Sequence, residues 1–399
     1  MKKFLKITFV IILAVGMLYA YNIYSNGALV QTINNLKQTQ ITTTNIYKSS
    51  ATENNRTQTL SAQVHSELSA DEQKAFDIIY DGLSAYKPSV NIYQEIESDR
   101  IFELVELVLA EHPEIFWSKG DCSFSTGGRL TFAYPYTKNE TQEKNALIEN
   151  RAKEIFKEIN VQGDDYEKSK AIFDYITLNT SYAAEEAENI DKNLPISTIE
   201  GVFLDGEAVC SGYAKAYQYL LSMAGIDAVT ISGDARTPTG NARHAWTAQV
   251  IDGEVYFSDA TWGDGFENAG NSDFVSHTYF LMNSEEIEKT HSCQNMYSAI
   301  KSTAQKDYFV REGLFFDAYD LSGIRTKVKE SLDNKELGTE FKFADSQAYE
   351  EACAQLFDNE NIYLVLKSSD LFSSSIDTNR INYSCDDTHN TITIFFNYK

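Results

Sequence analysis

Residues 206–217 read Gly206-Glu207-Ala208-Val209-Cys210-Ser211-Gly212-Tyr213-Ala214-Lys215-Ala216-Tyr217. From Cys210 onward the apolar residues Tyr213, Ala214, Tyr217, Leu220, Leu221 and Ala224 recur at the period of an α-helix. Gly225 supplies a left-handed cap at its end, and Gly206 allows a sharp bend before it. Cys210 therefore sits at or just before a helix N-terminus. There the unpaired N–H groups and the helix dipole favour a thiolate over a thiol. The same place also suits a small buried apolar side chain, because free cysteine is among the most buried residue types. The helix alone does not separate the two roles.

The next segment does. Residues 226–232 read as a short strand, and after a polar loop comes His244-Ala245-Trp246-Thr247-Ala248-Gln249-Val250-Ile251. Asp252-Gly253 is a two-residue hairpin turn, and Glu254-Val255-Tyr256-Phe257-Ser258-Asp259 returns from it. Such a turn sets Ile251 opposite Glu254, and hence Trp246 opposite Asp259. His244, two residues from Trp246, shares the face that Trp246 and Asp259 occupy. His244 and Asp259 become diagonal neighbours, ~7–8 Å apart at the backbone and within side-chain reach. A carboxylate there holds one imidazole nitrogen and leaves the other to take a proton, the orienter and base of a nucleophilic triad. Alone, His244 reads as a structural histidine and Asp259 as a strand-end turn residue. Together, in the chain order Cys, His, Asp, they read as a site.

These motifs resemble the bacterial transglutaminase-like superfamily, a branch of the papain-like fold. The resemblance rests on Ala208-Val209-Cys210-Ser211-Gly212-Tyr213-Ala214, on His244-Ala245-Trp246 and on Tyr256-Phe257-Ser258-Asp259-Ala260-Thr261-Trp262. Tyr279-Phe280-Leu281-Met282-Asn283, followed by Glu285-Glu286, is similar to the segment that closes that core. His112-Pro113-Glu114-Ile115-Phe116-Trp117 loosely resembles a region found with extracellular members. Ser211 and Ala260 depart from the residues common at their positions, and neither touches the three chemical groups. The resemblance implies an α+β core, a helix bearing the Cys packed on an antiparallel sheet. It also implies catalytic roles for Cys210, His244 and Asp259. The expected chemistry is attack of Cys210 on a peptide or carboxamide carbonyl, a thioester intermediate, and then hydrolysis or transamidation. A noncatalytic surface module that keeps the fold for binding is the alternative. Trp246, Trp262, Tyr213 and Tyr182 are candidate pocket residues, although core packing serves Tyr213 and Tyr182 better. No cofactor is expected. No metal is expected either: His291-Ser292-Cys293 has a short His/Cys spacing, but no second pair stands at zinc-site spacing.

Working outward, the N-terminus carries Lys2, Lys3 and Lys6 before a run without charge from Ile7 to Tyr24. That run is long enough to span a bilayer as a helix, at ~17–25 residues. Residues 1–24 read as a signal anchor, or as a signal peptide if cleaved, which places the remainder outside the cytoplasm. Residues 25–66 are rich in Asn, Thr, Gln and Ser and read as a disordered polar linker. The expected organisation continues with an N-terminal α/β region over 67–162 and the catalytic core over 163–300. A connector over 301–330 leads to a small β-α-β-β unit over 331–399, with Ile362-Tyr363-Leu364-Val365-Leu366 as a buried strand. Cys353 and Cys385 are the one cysteine pair considered for a disulfide. Among 399 residues, 58 are acidic against 34 basic, a net charge of −24. Such a surface repels phosphate backbones, so nucleic acid is not an expected partner; what the resemblance implies is a protein or peptide substrate, with cell-wall association open.

Overall fold

Thr59 caps a first helix, α1 (Leu60–His65), and a capping box between Ser69 and Glu72 opens a second, α2 (Ala70–Ser84). The computed structural model describes residues 59–184, 193–237, 240–264, 273–293, 296–367, 376 and 381–399. The expected signal anchor, most of the expected linker, the acidic stretch at 185–191 and residues 265–272 lie outside the described residues. Among the described residues no helix is long and apolar enough to cross a membrane. Residues 60–65, read from sequence as the end of the linker, are folded. Leu60 and Val64, one helical turn apart, are fully buried, each contributing about 1.5–3 kcal/mol. The Leu60 N–H also donates to Asp227 Oδ2 at 2.9 Å.

The N-terminal region continues with β1 (Ser89–Asn91), α3 (Ser98–Glu111), β2 (Cys122–Phe124) and β3 (Arg129–Phe132). The strands form an antiparallel sheet in the order β1-β3-β2. Helix α4 (Lys138–Glu158) follows a second capping box, Thr137 with Glu140. Its Ile148, Ala152 and Ile155 share one core with Ile172, Phe173 and Ile176 of α5 (Asp165–Asn179). A boundary drawn at 162 therefore separates α4 from the helix it packs against.

The central part runs through β4 (Ser181–Tyr182), β5 (Glu207–Ala208) and α6 (Cys210–Met223) to β6 (Ala228–Thr237), β7 (Gly240–Ile251) and β8 (Glu254–Ser258). Two short helices, α7 (Ala260–Gly263) and α8 (Ser284–Ile287), precede β9 (His291–Ser292). The sheet is antiparallel in the order β8-β7-β6-β9. The turn residues Asp252 and Gly253 sit at φ 55° and 80°, as a two-residue hairpin turn of this kind requires. Ile251 pairs with Glu254 and Thr247 with Ser258, the register inferred from the turn. One sheet face, with Val229, Ile231, Trp246, Ala248 and Phe257, packs on Leu60, Ile79 and Leu104 of the N-terminal helices. The other meets α5 and α6 through a buried polar chain, in which Gln249 Nε2 donates to the hydroxyl of Tyr217 on α6 (3.1 Å). Ser169 Oγ donates to Gln249 Oε1 (2.6 Å), and Gln249 Nε2 donates to Ser258 Oγ (2.8 Å). Such a network is satisfied in one register only.

The C-terminal part comprises α9 (Tyr308–Arg311), β10 (Phe315–Phe316), α10 (Leu321–Asp333), β11 (Gly338–Phe343), α11 (Ser346–Cys353), α12 (Ile362–Leu366), β12 (Asn382–Asp386) and β13 (Thr391–Phe395). Its sheet order is β10-β11-β13-β12. Residues 362–366, expected as a strand, are helical. Ile362, Val365 and Leu366 are buried while Tyr363 and Leu364 are exposed, which is helical spacing. An apolar run of five residues does not by itself distinguish the two. Helix α10, which begins in the expected connector and runs past its end, contributes Ile324, Val328 and Leu332 to the same core as Phe341 and Ile392, so it belongs to this unit. The N-cap of α11 is Asp345, whose side chain accepts from the Ala348 N–H.

Candidate active site

Val209 occupies the N-cap of α6 and offers no side-chain oxygen to the helix. Valine is a poor cap, so the cap side chain does not compete for the first N–H groups of the helix, which include those of Cys210 and Ser211. The helix start is fixed from behind. The Val209 N–H donates to Ile196 O at 2.9 Å, and a Cβ on Gly212 would stand 2.5 Å from that same oxygen and 2.8 Å from Ala208 Cβ. Gly212 is therefore required by close approach, and it sets where Cys210 emerges. Strand β8 pairs with β7 only as far as Thr247, so the stretch of β7 carrying His244 lies past the end of β8.

Asp259 follows β8 directly. Its N–H donates to Tyr279 O (2.9 Å), and its side chain is almost fully buried. The carboxylate has four donors. Oδ1 accepts from the N–H groups of Thr261 (3.0 Å) and Trp262 (3.3 Å), capping α7. Oδ2 accepts from His244 Nε2 (2.7 Å) and from His291 Nε2 (3.2 Å). The sequence poses an orienter and a turn residue as alternatives for Asp259, and the carboxylate makes both kinds of contact, one with each oxygen.

Burial alone would raise the Asp259 pKa, but the facing imidazoles, His244 first, hold it well below the usual carboxylate range. It is thus ionised and only accepts, so both Nε2 atoms carry protons. Burial lowers the His244 pKa, and the Asp259 charge and hydrogen bond, with a smaller part from Cys210, outweigh this and raise it to about 10. With Nε2 given to Asp259, Nδ1 remains for Cys210. Burial, with the His244 charge beside it, lowers the His291 pKa despite the Asp259 contact, so His291 is the neutral imidazole of the pair.

Aromatic rings enclose the two histidines. Trp262 lies 5.5 Å from His244 and 4.7 Å from His291, centroid to centroid. Trp246 stacks on His244 at 6.5 Å and meets His291 edge-on at 4.9 Å. It is buried, its indole N–H has no acceptor among the described residues, and it shields the pair as a wall of the core. Tyr182 is 40% exposed on β4, which pairs with β5 just before Cys210; Cys210 and Asp259 act on it electrostatically. Tyr213 is fully buried, and its hydroxyl donates to Thr180 O. It supports the floor of the site from inside the core and does not line an open pocket. His244, Asp259 and His291 also bring their donor atoms within 4.8 Å of one another, a set that a borderline divalent ion such as Zn²⁺ accepts.

Residues 153–263 match the family model of the transglutaminase-like superfamily. They are a transglutaminase-like domain. Its window contains Cys210, His244 and Asp259, and ends before His291. Kyphoscoliosis peptidase from Mus musculus is 27% identical over 128 residues, covering 29% of this chain and 19% of that protein. The Homo sapiens protein of the same name is 26% identical over the same length. The chain thus spans about a fifth of the length of these relatives. A crystal structure described as a TGase matches with a TM-score of 0.27 at 16% identity, covering 43% of this chain and 50% of that one. The sequence motifs of the transglutaminase-like domain led to Cys210, His244 and Asp259. They did not lead to His291, whose role the sequence weighed only as half of a metal spacing.

Proposed function

We propose that the transglutaminase-like domain is a cysteine-dependent acyl-transfer enzyme acting on amide bonds of a protein or peptide. The observation that carries this reading is the 2.7 Å contact of buried, ionised Asp259 with His244 Nε2, which leaves Nδ1 toward Cys210 at an uncapped helix start. Cys210 attacks as its thiolate, and its sulfur forms a bond to the carbonyl carbon. The C=O electron pair moves onto oxygen, opposite the N–H groups of Cys210 and Ser211. The C–N bond then breaks, Nδ1 of His244 protonates the departing amine or ammonia, and a thioester on Cys210 remains. Water, deprotonated by the now neutral Nδ1, releases an acid; a primary amine in its place forms a new amide. Asp259 holds the imidazole in the tautomer these steps need. The basic N-terminus and the uncharged run to Tyr24 support placement of the domain on the outer face of the membrane, with a protein or peptide partner there, cell-wall-associated or free.

Incubation of the full chain with a glutamine-containing peptide, followed by acid quench and intact-mass measurement, tests this. The expected result is a peptide adduct on the wild-type chain, absent from Cys210→Ala. Turnover that persists in Cys210→Ala would overturn the reading.

A further inference from the structure

The transglutaminase-like window contains one histidine of the pair, yet Asp259 Oδ2 is shared between two. His291 is held there by a strand that extends the sheet past the window. Ala235 pairs with His291 and Asp234 with Ser292, and the Arg236 N–H donates to Thr290 O (2.8 Å). The side chain is buried and enclosed by Trp246, Trp262 and Tyr279.

Its protons can be assigned by elimination. Asp259 only accepts, so His291 Nε2 carries the hydrogen. A neutral ring then has a lone pair on Nδ1, and Nδ1 lies 2.9 Å from Thr290 Oγ1. The threonine hydroxyl donates to it at this shorter distance, the alternative acceptor Ile287 O being 3.5 Å away. The donors thus run in one direction, Thr290 to His291 to Asp259, each bond polarising the next. The Tyr279 carbonyl accepts the Asp259 N–H (2.9 Å), so Asp259 is held by its backbone as well as by its carboxylate.

We infer that His291 is a positioning residue of this site: it fixes Asp259 Oδ2 in the direction from which that oxygen orients His244, and Thr290 fixes His291. The inference rests on the reading of Cys210, His244 and Asp259 as the acyl-transfer site. His291 touches no reacting atom and acts only through Asp259 and His244. Without it the carboxylate keeps its two backbone donors on Oδ1, but Oδ2 is pinned by His244 alone and the pair swings together.

The test is the rate constant for iodoacetamide alkylation of Cys210 in the full chain, followed by peptide mass spectrometry near neutral pH and well below melting. His291→Phe keeps an aromatic ring in the enclosure and removes the donor. His291→Gln places an amide N–H where Nε2–H stood. The loss of one hydrogen bond predicts a fall of about fivefold in His291→Phe and recovery to within about twofold of wild type in His291→Gln. In a His244→Ala background His291→Phe should change nothing further, because its effect passes through His244. Equal losses in the Phe and Gln variants, no loss in either, or the same loss in both backgrounds would overturn the inference. If His244→Ala itself leaves the rate unchanged, the acyl-transfer reading fails instead, and the two failures are distinguished.

Discussion

Replacing Asp259 by Asn retains the volume and removes the charge, and the four contacts of the carboxylate set the size of the effect. The amide oxygen can keep the Thr261 and Trp262 N–H groups, at 3.0 and 3.3 Å, so α7 remains capped. The amide NH₂ then faces two imidazole N–H groups, at 2.7 and 3.2 Å from the former Oδ2. Donors opposed to donors force both rings to the other tautomer. Hydrogen bonds to a charged group contribute ~1.5–3 kcal/mol each and neutral ones ~0.5–1.5, so two such exchanges cost about 2 kcal/mol. At ~2–4 °C per kcal/mol for a body of this size, the melting temperature should fall by roughly 4–8 °C. The reactive consequence is larger. A flipped His244 carries its hydrogen on Nδ1 and cannot take a proton from Cys210, which for a triad of this type costs on the order of 10³–10⁴ in rate. Calorimetry and thiol-dependent turnover on one sample separate the two effects. A variant that melts lower but turns over like wild type per folded molecule would refute the orienting role and leave Asp259 as a helix cap only.

Gly212→Ala should destabilise the protein by about 1–3 kcal/mol in chemical denaturation, because its Cβ would meet Ile196 O and Ala208 Cβ; helix propensity alone predicts a stabilisation of ~1 kcal/mol, and that sign would refute the close-approach argument. The His244 pKa is raised from 6.5 to about 10, so its contribution to stability is full below pH 6.5 and lost as pH rises through about 10. Melting temperature should accordingly fall over that window, and fall less in His244→Ala; identical slopes would contradict the pairing. Buried His277, clamped between Asp174 Oδ1 (2.9 Å) and Glu340 Oε2 (3.1 Å), has a raised pKa and adds a loss of the same sign; His277→Gln should flatten the slope further. The Cys353 and Cys385 sulfurs lie 3.6 Å apart, so oxidised glutathione should convert this pair to a disulfide, lowering the mass by about 2 Da as two hydrogens leave. A persistent pair of free thiols would show that α11 and β12 cannot approach.

The parts of the molecule legible in the sequence are those in which local signals agree. Asp252-Gly253 fixes a register without reference to anything distant, and that register carries His244 and Asp259 to one face. Helix α5 carries its own start signal, because Asp164 caps it and Glu167 reaches back, so its N-terminus needs no tertiary partner. His291 had no such signal. Its position depends on a two-residue strand pairing with the far end of β6, which extends to Thr237, beyond the residues that read as a strand. Nothing within His291-Ser292-Cys293 points to that neighbour. Residues 362–366 failed for a related reason: five apolar residues suit either a strand or a helix, and burial of Ile362, Val365 and Leu366 together decides it. Tyr213 sits one turn from Cys210 and so looked close to the site, but its side chain points into the core toward Thr180.

Competitive alkylation of the five cysteines with iodoacetamide near neutral pH, in wild type and in His244→Ala, tests the central claim most directly. Burial raises Cys122 to about 11, and burial with the Cys353 neighbour raises Cys385 to about 12, so both are protonated thiols under these conditions. Cys210 should react at least about tenfold faster than Cys122, Cys293, Cys353 or Cys385 in wild type, and should lose that advantage in His244→Ala. A Cys210 that reacts no faster than the others, or whose rate is unchanged without His244, would contradict the account.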